Sequence, residues 1–353
     1  MKMILHRLML PLAHEFRISR GAVNTQPSLI VELEHEGVHG FGEVTENSFY
    51  GHTFASMTVS LEKAGSFLEK YLDHSPLDLW PQAYELLDGD TFAVAALDMA
   101  AHDFHGKRHG VSTWRAWGLV WDDNVPPSSY TIGIDTIDMM VAKLNEQPGW
   151  PIYKIKLGTP QDIEMVTELR RHTEAVFRVD ANGGWTAEQT IAMAARLAEL
   201  RVEFIEQPLP STASAADKRR VFTESVLPIV ADEDCQRIGD VDACAGFFHG
   251  INVKLCKCGG LTPALRMLQR AHELELKTMV GCMVESSIGI SGAAQLLPLL
   301  DFADLDGAVL LADDPARGVI VDQGVIKPSQ RFGCGAELVA ERLASFQASR
   351  TCG

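Results

Sequence analysis

The spacing of apolar residues changes character near residue 125. Before that point, residues 3–10 and 28–34 are short apolar runs that read as strands. The run SLIVELEHEGVHGFGEVT reads as two strands joined by a Glu-Gly turn. Helical spacing then predicts helices over about 55–72 and 91–106. In the second, Phe92, Ala95, Ala96, Met99 and Ala100 fall on one apolar stripe. A meander followed by helices is an α+β pattern. DDNVPPSS, residues 122–129, has turn composition and a double proline, so the main boundary falls there.

From about 128 onward, short apolar runs alternate with helical ones. Strands are predicted at SSYTIGI (128–134), IYKIKL (152–157), VFRVD (176–180), VEFIE (202–206), PIVAD (228–232), GINVKL (250–255) and KTMVG (277–281), with a weak one near 304–307. Amphipathic stretches such as AEQTIAMAARLAEL and TPALRMLQRAHELE lie between them. Eight strands, each separated by one helix-length segment, make a parallel α/β structure. A closed (β/α)8-type barrel suits the length. A doubly wound open sheet is the alternative. It calls for a glycine-rich phosphate turn after the first strand, where GID stands instead.

The charged residues fall at telling places on this pattern. Asp180 ends VFRVD, Glu206 ends VEFIE and Asp232 ends PIVAD, at spacings of 26 and 26 residues, one β-α unit each. In a barrel the C-terminal strand ends form one rim, where active sites are built. A lone acid after a strand is ordinarily a helix cap or turn residue. Three in register would repel one another without a cation, and hard oxygen ligands suit Mg²⁺. Lys154 and Lys156 alternate in YKIKLG and so share a face, and Lys254 ends the sixth strand. Strands two and six lie across a barrel from each other. Lys156 and Lys254 would therefore face one another over the metal. A metal-bound carboxylate loses its α-proton to a neutral lysine, giving an enediolate. A protonated lysine on the other face returns a proton, and the result is epimerisation or racemisation. The base needs a lowered pKa, which Mg²⁺ and Lys154 beside Lys156 would supply.

Bulk properties narrow the function classes. The 353 residues are ample for a barrel with an appendage, and 46% are hydrophobic. A net charge of −16 repels nucleic acid and anionic membranes, so neither is an expected partner. Seven cysteines with no C-x-x-C pair argue against a disulfide framework or zinc site and fit a reducing cytoplasm. MKMILHRLMLPLAHEF is broken by His6, Arg7 and His14 and does not read as a signal peptide. No apolar run approaches the ~20 residues of a membrane helix.

The KxK of YKIKLG, VDANGGW, IEQP, ADE and INVKLCKCGGL, in that order, resemble the hallmarks of the enolase superfamily, muconate-lactonising subgroup. FAVAALDMAAHDFHGK followed by WGL resembles the helix that links that family's capping domain to its barrel. The match covers nearly the whole chain. The resemblance implies a modified (β/α)7β barrel over 126–311 with an α+β cap from residues 1–125, completed by 312–353. It implies Asp180, Glu206 and Asp232 as Mg²⁺ ligands and Lys156 and Lys254 as the acid/base pair. Asn182 and Glu233 would support the ligands, and Lys154 would tune Lys156 and contact the substrate carboxylate. Lys257 competes with Lys254, but INVK is the strand and Lys257 falls in the following turn. Cap loops around Arg17–Arg20 and Thr45–His52, with Phe49 and Tyr50, would close over the mouth.

Asp304 and Asp306 in ADLDGAVLLADDP resemble the DLDG-type motif of dipeptide epimerases, where those acids hold the substrate's ammonium group. The implied activity is a Mg²⁺-dependent dipeptide epimerase. An o-succinylbenzoate synthase or muconate cycloisomerase on the same scaffold is the alternative. Arg20 is the candidate cation for a glutamate side chain. Phe49, Tyr50, Met283 and Ile288 lean toward small or hydrophobic dipeptides. Cys282, Met283 and Glu285 in VGCMVES are expected at the pocket wall. Family members often assemble through their barrels, so a homo-oligomer is an expectation from the resemblance.

Overall fold

A computed structural model describes residues 1–19 and 21–347. The chain opens with an antiparallel sheet of β1 (Lys2–Ile18), β2 (Gly21–His35) and β3 (Val38–Thr45), in the order β1-β2-β3. The expected Glu-Gly turn joins β2 to β3, with Glu36 and Gly37 at φ 51° and 78°. Two left-handed residues make the tight hairpin whose twist matches its strands. The first strand runs on to Ile18, well past the apolar run that announces it.

Helix α1 (Phe54–Glu62) starts at Thr53, which forms a capping box with Ser56. The single helix expected over 55–72 is broken. Gly65, at φ 36°, leaves the α-helical path, and Gly65–Leu72 continues as a 3₁₀ helix. Helix α2 (Pro76–Leu86) is an element the sequence reading lacks, with prolines at its first position and inside it. Helix α3 (Thr91–His109) is buried nearly all round. One side lies on β3, where a Cβ on Gly40 or Gly42 would come within 2.4 or 2.1 Å of α3. Glycine at these two positions is what lets the helix rest on the sheet. The short α4 (Thr113–Ala116) leads out of this cap.

Eight parallel strands follow: β4 (Tyr130–Ile132), β5 (Ile152–Lys156), β6 (Val176–Asp180), β7 (Val202–Glu206), β8 (Ile229–Ala231), β9 (Gly250–Val253), β10 (Lys277–Gly281) and β11 (Phe302–Asp304). The gaps between them carry, in order, α5 (Ile137–Glu146), α6 (Asp162–Arg170), α7 (Ala187–Glu199), α8 (Ala215–Glu224), α9 (Asp240–Cys244), α10 (Leu255–Cys258) with α11 (Leu261–Glu273), and α12 (Ser287–Ala294). Ser128 bridges Ala303 in parallel and closes the ring. The Leu305 N–H donates to Ser128 Oγ at 2.8 Å and reinforces the seam. This is the (β/α)7β barrel. The eighth strand ends at Asp304, earlier than the 304–307 expected, because the seam bond takes the Leu305 N–H and the Asp306 carbonyl turns to Val309 and Leu310.

Outward strand residues such as Ile155, Val179, Ile205 and Val253 join the main core against the helices. Inside, Phe204, Val230, Met279 and Phe302 cluster, and the Arg178 guanidinium lies 5.2 and 4.8 Å from the Phe204 and Phe302 rings. The barrel is a filled core toward its base. Cap carboxylates fix the cap to two barrel helices. Asp98 accepts from the Thr262 N–H at 2.8 Å at the start of α11. Glu43 accepts from the N–H groups of Ser286 (3.0 Å) and Gly289 (2.9 Å) at the start of α12. The tail returns to the cap. Asp103 of α3 accepts from Phe41 N–H at 2.8 Å and Cys334 N–H at 2.7 Å, and Phe346 is buried. Among the described residues, no helix is long and apolar enough to cross a membrane.

Candidate active site

Strand register sets three charged residues in one row at the C-terminal rim. Lys156 pairs with Asp180 across β5 and β6, and Asp180 with Glu206 across β6 and β7. Asp232 directly follows β8. Asp180, Glu206 and Asp232 are fully buried, and one oxygen of each lies within 4.8 Å of the others. A single divalent ion can draw such oxygens onto bonds of ~2.1 Å. The donor set is carboxylate alone, which fits Mg²⁺. Burial, with Asp180 adding to it, pushes Glu206 up to about 7. Burial works the same way on Asp232, but Lys254 and Lys257 outweigh it and hold that carboxyl well below its ordinary range.

Ammonium groups surround the acids. Lys156 Nζ donates to Asp180 Oδ2 at 2.6 Å, at one end of the row. Lys254 Nζ donates to Asp232 Oδ2 at 2.9 Å, at the other. Lys154 Nζ lies 2.7 Å from Glu206 Oε2, 2.7 Å from Asp304 Oδ2 and 3.6 Å from Asp180 Oδ2. Burial opposes its charge, but Asp304, Glu206 and Asp180 prevail and raise its pKa. Lys154 is thus engaged with acids from three strands as well as standing beside Lys156. Lys257 donates to the carbonyls of Asp232 at 2.6 Å and Cys235 at 3.3 Å, and to Asp232 Oδ1. Its three protons are all taken by protein oxygens. Lys254 lines the cavity over the row, and Lys257 does not.

That cavity measures about 490 Å³. Lys154, Lys156, Asn182, Asp232, Lys254, Asp304 and Asp306 line its barrel side. Phe16, Ile18 and the loop Thr45–Tyr50 of the cap line the other, joined by Cys282, Met283 and Leu310. Tyr50 and Phe49 meet edge to face at 4.9 Å between ring centroids. Asn182 donates its backbone N–H to Asp180 Oδ1 at 2.8 Å, and its amide lies 3.3 Å from Oδ2. Glu233 is buried next to Asp232. Glu285 and Ile288 are buried and lie away from the cavity lining. Arg20 lies outside the described residues.

The two acids of the DLDG stretch differ. Asp304 accepts from Ser129 Oγ at 2.6 Å and from Lys154. Burial opposes ionisation there, yet Lys154 holds the carboxyl down to about 2. Asp306 accepts from the Thr131 N–H, and burial, with Asp304 adding to it, pushes its pKa up to about 7.

Residues 139–342 match the family described as enolase C-terminal domain-like. Residues 3–118 match the mandelate racemase / muconate lactonizing enzyme N-terminal domain. The chain belongs to the enolase superfamily. This superfamily member is 50% identical to the L-Ala-D/L-amino acid epimerase of Flavobacterium johnsoniae, over 96% of this chain and 100% of that one. It is 41% identical to the L-Ala-D/L-Glu epimerase of Bacteroides thetaiotaomicron, over 95% and 87%. The crystal structure of a dipeptide epimerase from Enterococcus faecalis V583, complexed with Mg and L-Leu-L-Tyr, is similar with a TM-score of 0.87. Its identity is 28%, covering 95% of this chain and 99% of that one.

Two buried amides at the site of this enolase-superfamily chain escape a reading of sequence alone. Gln207, at φ 35°, follows Glu206 directly. Its Oε1 accepts from the N–H groups of Asp232 at 2.9 Å and Asp234 at 3.2 Å. Its Nε2 donates to the Leu209 carbonyl and Asp234 Oδ2, both at 2.7 Å. One side chain thereby ties the loop after β7 to the loop that carries Asp232. The second is Asn252, whose Nδ2 donates to Glu206 Oε1 at 2.8 Å. IEQP and INVK advertise both positions, but an amide carries no charge to set it apart from ordinary loop or strand polarity.

Proposed function

We propose that this protein is a Mg²⁺-dependent dipeptide epimerase that inverts the α-carbon next to the dipeptide carboxylate by 1,1-proton transfer. The observation that carries the reading is the flanking of one carboxylate cluster by two cavity-lining amines, Lys156 on Asp180 and Lys254 on Asp232. Asp180, Glu206 and Asp232 would hold Mg²⁺. When bound, the ion supplies electrostatic stabilisation of the charge that develops on the substrate carboxylate. Lys156 and Lys254 act from opposite flanks, one removing the α-proton and the other returning one. Asp304 and Asp306 receive the substrate ammonium, and Lys154 links Asp304 to Glu206 and Asp180. The end of β1 at Ile18 and the cap loop bearing Tyr50 exclude water.

Relatives named as L-Ala-D/L-amino acid and L-Ala-D/L-Glu epimerases support a dipeptide with alanine first. The Phe16, Ile18, Phe49, Tyr50 and Met283 wall supports a small or apolar second side chain. Six described cysteines are unpaired, which supports a reducing cytoplasm as the site of action. The test is α-proton exchange into D₂O across a dipeptide library with Mg²⁺, read by mass and by chiral separation. Exchange with inversion that collapses on N-acetylation is expected. Equal turnover of N-acylated substrates, or none of any dipeptide, would sink the reading.

A further inference from the structure

Glu206 is held from one side by an amide that no charge-based reading of the rim brings forward. Asn252 points into the barrel from β9, two residues before Lys254, and is fully buried. Its Nδ2 donates to Glu206 Oε1 at 2.8 Å. Asn252 Oδ1 is buried with no hydrogen-bond partner. The reverse placement of the amide would set oxygen against a carboxylate oxygen, so the donor end is fixed on Glu206. Glu206 Oε2 is buried too. Lys154 Nζ approaches it to 2.7 Å, yet no hydrogen bond is directed at that oxygen. The neighbouring strand makes room for this arrangement. A Cβ on Gly281 would come within 2.8 Å of both Nδ2 and Oδ1 of Asn252. Real Cβ atoms do not approach that closely, and both partners are buried, so a side chain at 281 must displace the amide.

We propose that Asn252 is a positioning residue for the metal site. It takes Oε1 of Glu206 and leaves Oε2 to face the ion, and Gly281 is the space that permits it. This rests on the reading that Asp180, Glu206 and Asp232 hold Mg²⁺. Residues that orient a metal ligand typically contribute about 10–100-fold in metal affinity.

The experiment is Mg²⁺ binding by calorimetry to wild type, Asn252→Ala, Gly281→Ala and the double variant, with the Tm of each metal-free protein alongside. Asn252→Ala is expected to weaken Mg²⁺ binding at least about tenfold. Gly281→Ala is expected to weaken it comparably, although residue 281 is not itself bonded to Glu206. Adding Gly281→Ala to Asn252→Ala is expected to cost little more, because the amide it displaces is gone. If Asn252→Ala does not fold, the Gly281→Ala comparison decides alone. A wild-type Kd in every variant that folds overturns the proposal. So does full additivity in the double variant. Failure of the wild-type protein to bind Mg²⁺ would instead overturn the functional reading beneath it.

Discussion

Lys254 and Lys257 lie one helical turn apart and grip the two oxygens of the same carboxylate, Asp232, so substituting each with methionine separates two kinds of loss. Lys257 is 2% exposed and gives all three protons to protein oxygens. Its loss removes the bond to Asp232 Oδ1, although Lys254 stays on Oδ2, and takes the donor from the buried carbonyls of Asp232 and Cys235 at about 1–3 kcal/mol each, a large share of a total stability of about 5–15 kcal/mol. Lys257→Met is therefore expected to lower Tm sharply and to slow exchange of both epimers together. Lys254→Met removes one charge-assisted hydrogen bond, about 1.5–3 kcal/mol, while Asp232 keeps Lys257. Its stability loss is smaller, but an acid/base group contributes about 10²–10⁴-fold in rate. Epimerisation is expected to fall at least about a hundredfold, and α-proton exchange is expected to survive for one epimer only. Lys156→Met is expected to spare the other epimer. The assay is ¹H NMR of each epimer in D₂O with Mg²⁺, beside thermal unfolding. Wild-type exchange of both epimers by Lys254→Met, or epimer-selective loss in Lys257→Met, would refute the assignment of the acid/base pair.

Three further outcomes follow from the same geometry. Glu206, pushed up to about 7, carries a proton below that pH which Mg²⁺ must displace, so Mg²⁺ affinity measured by calorimetry should be level above pH 7 and fall about tenfold per unit below it. Asp306, also near 7, must be ionised to receive an ammonium group, while a peptide α-amino group deprotonates near ~7.7–8.0. KM for a dipeptide should therefore pass through a minimum between those values, and Asp306→Asn should remove the acidic limb. Glu43→Ala leaves the N–H groups of Ser286 and Gly289 buried without an acceptor, at about 1–3 kcal/mol each; a denaturation midpoint unchanged from wild type would contradict its role in docking the cap.

Much of the rim was readable because strand phase and charge coincide. The apolar runs ending in Asp180 and Glu206 place those acids inward, and the alternation of YKIK places Lys154 and Lys156 with them. Phase also separates Lys254 from Lys257, since only the first continues the strand's inward face. Other features depend on contacts that no local pattern announces. Asp304 and Asp306 look equivalent in sequence and differ because Lys154 reaches one of them. Asp103 meets Cys334 from 231 positions away. Helix α2 carries a proline inside it, a residue that ordinarily interrupts helical spacing, and the break at Gly65 is a backbone event within the helical pattern read over 55–72.

The matching of acids and amines at the barrel mouth bears on how the protein is made. Asp180, Glu206, Asp232 and Asp304 are met by Lys154, Lys156, Lys254 and Lys257, and Glu206, pushed up to about 7, can also take a proton, so the polypeptide itself offsets the charge of these acids. Newly synthesised chains are therefore expected to close this sheet without waiting for a divalent ion, unlike small domains whose ligands stay unstructured until metal arrives. A chelator would then silence the protein while leaving its secondary structure and cooperative melting in place, and restored Mg²⁺ would revive it without refolding.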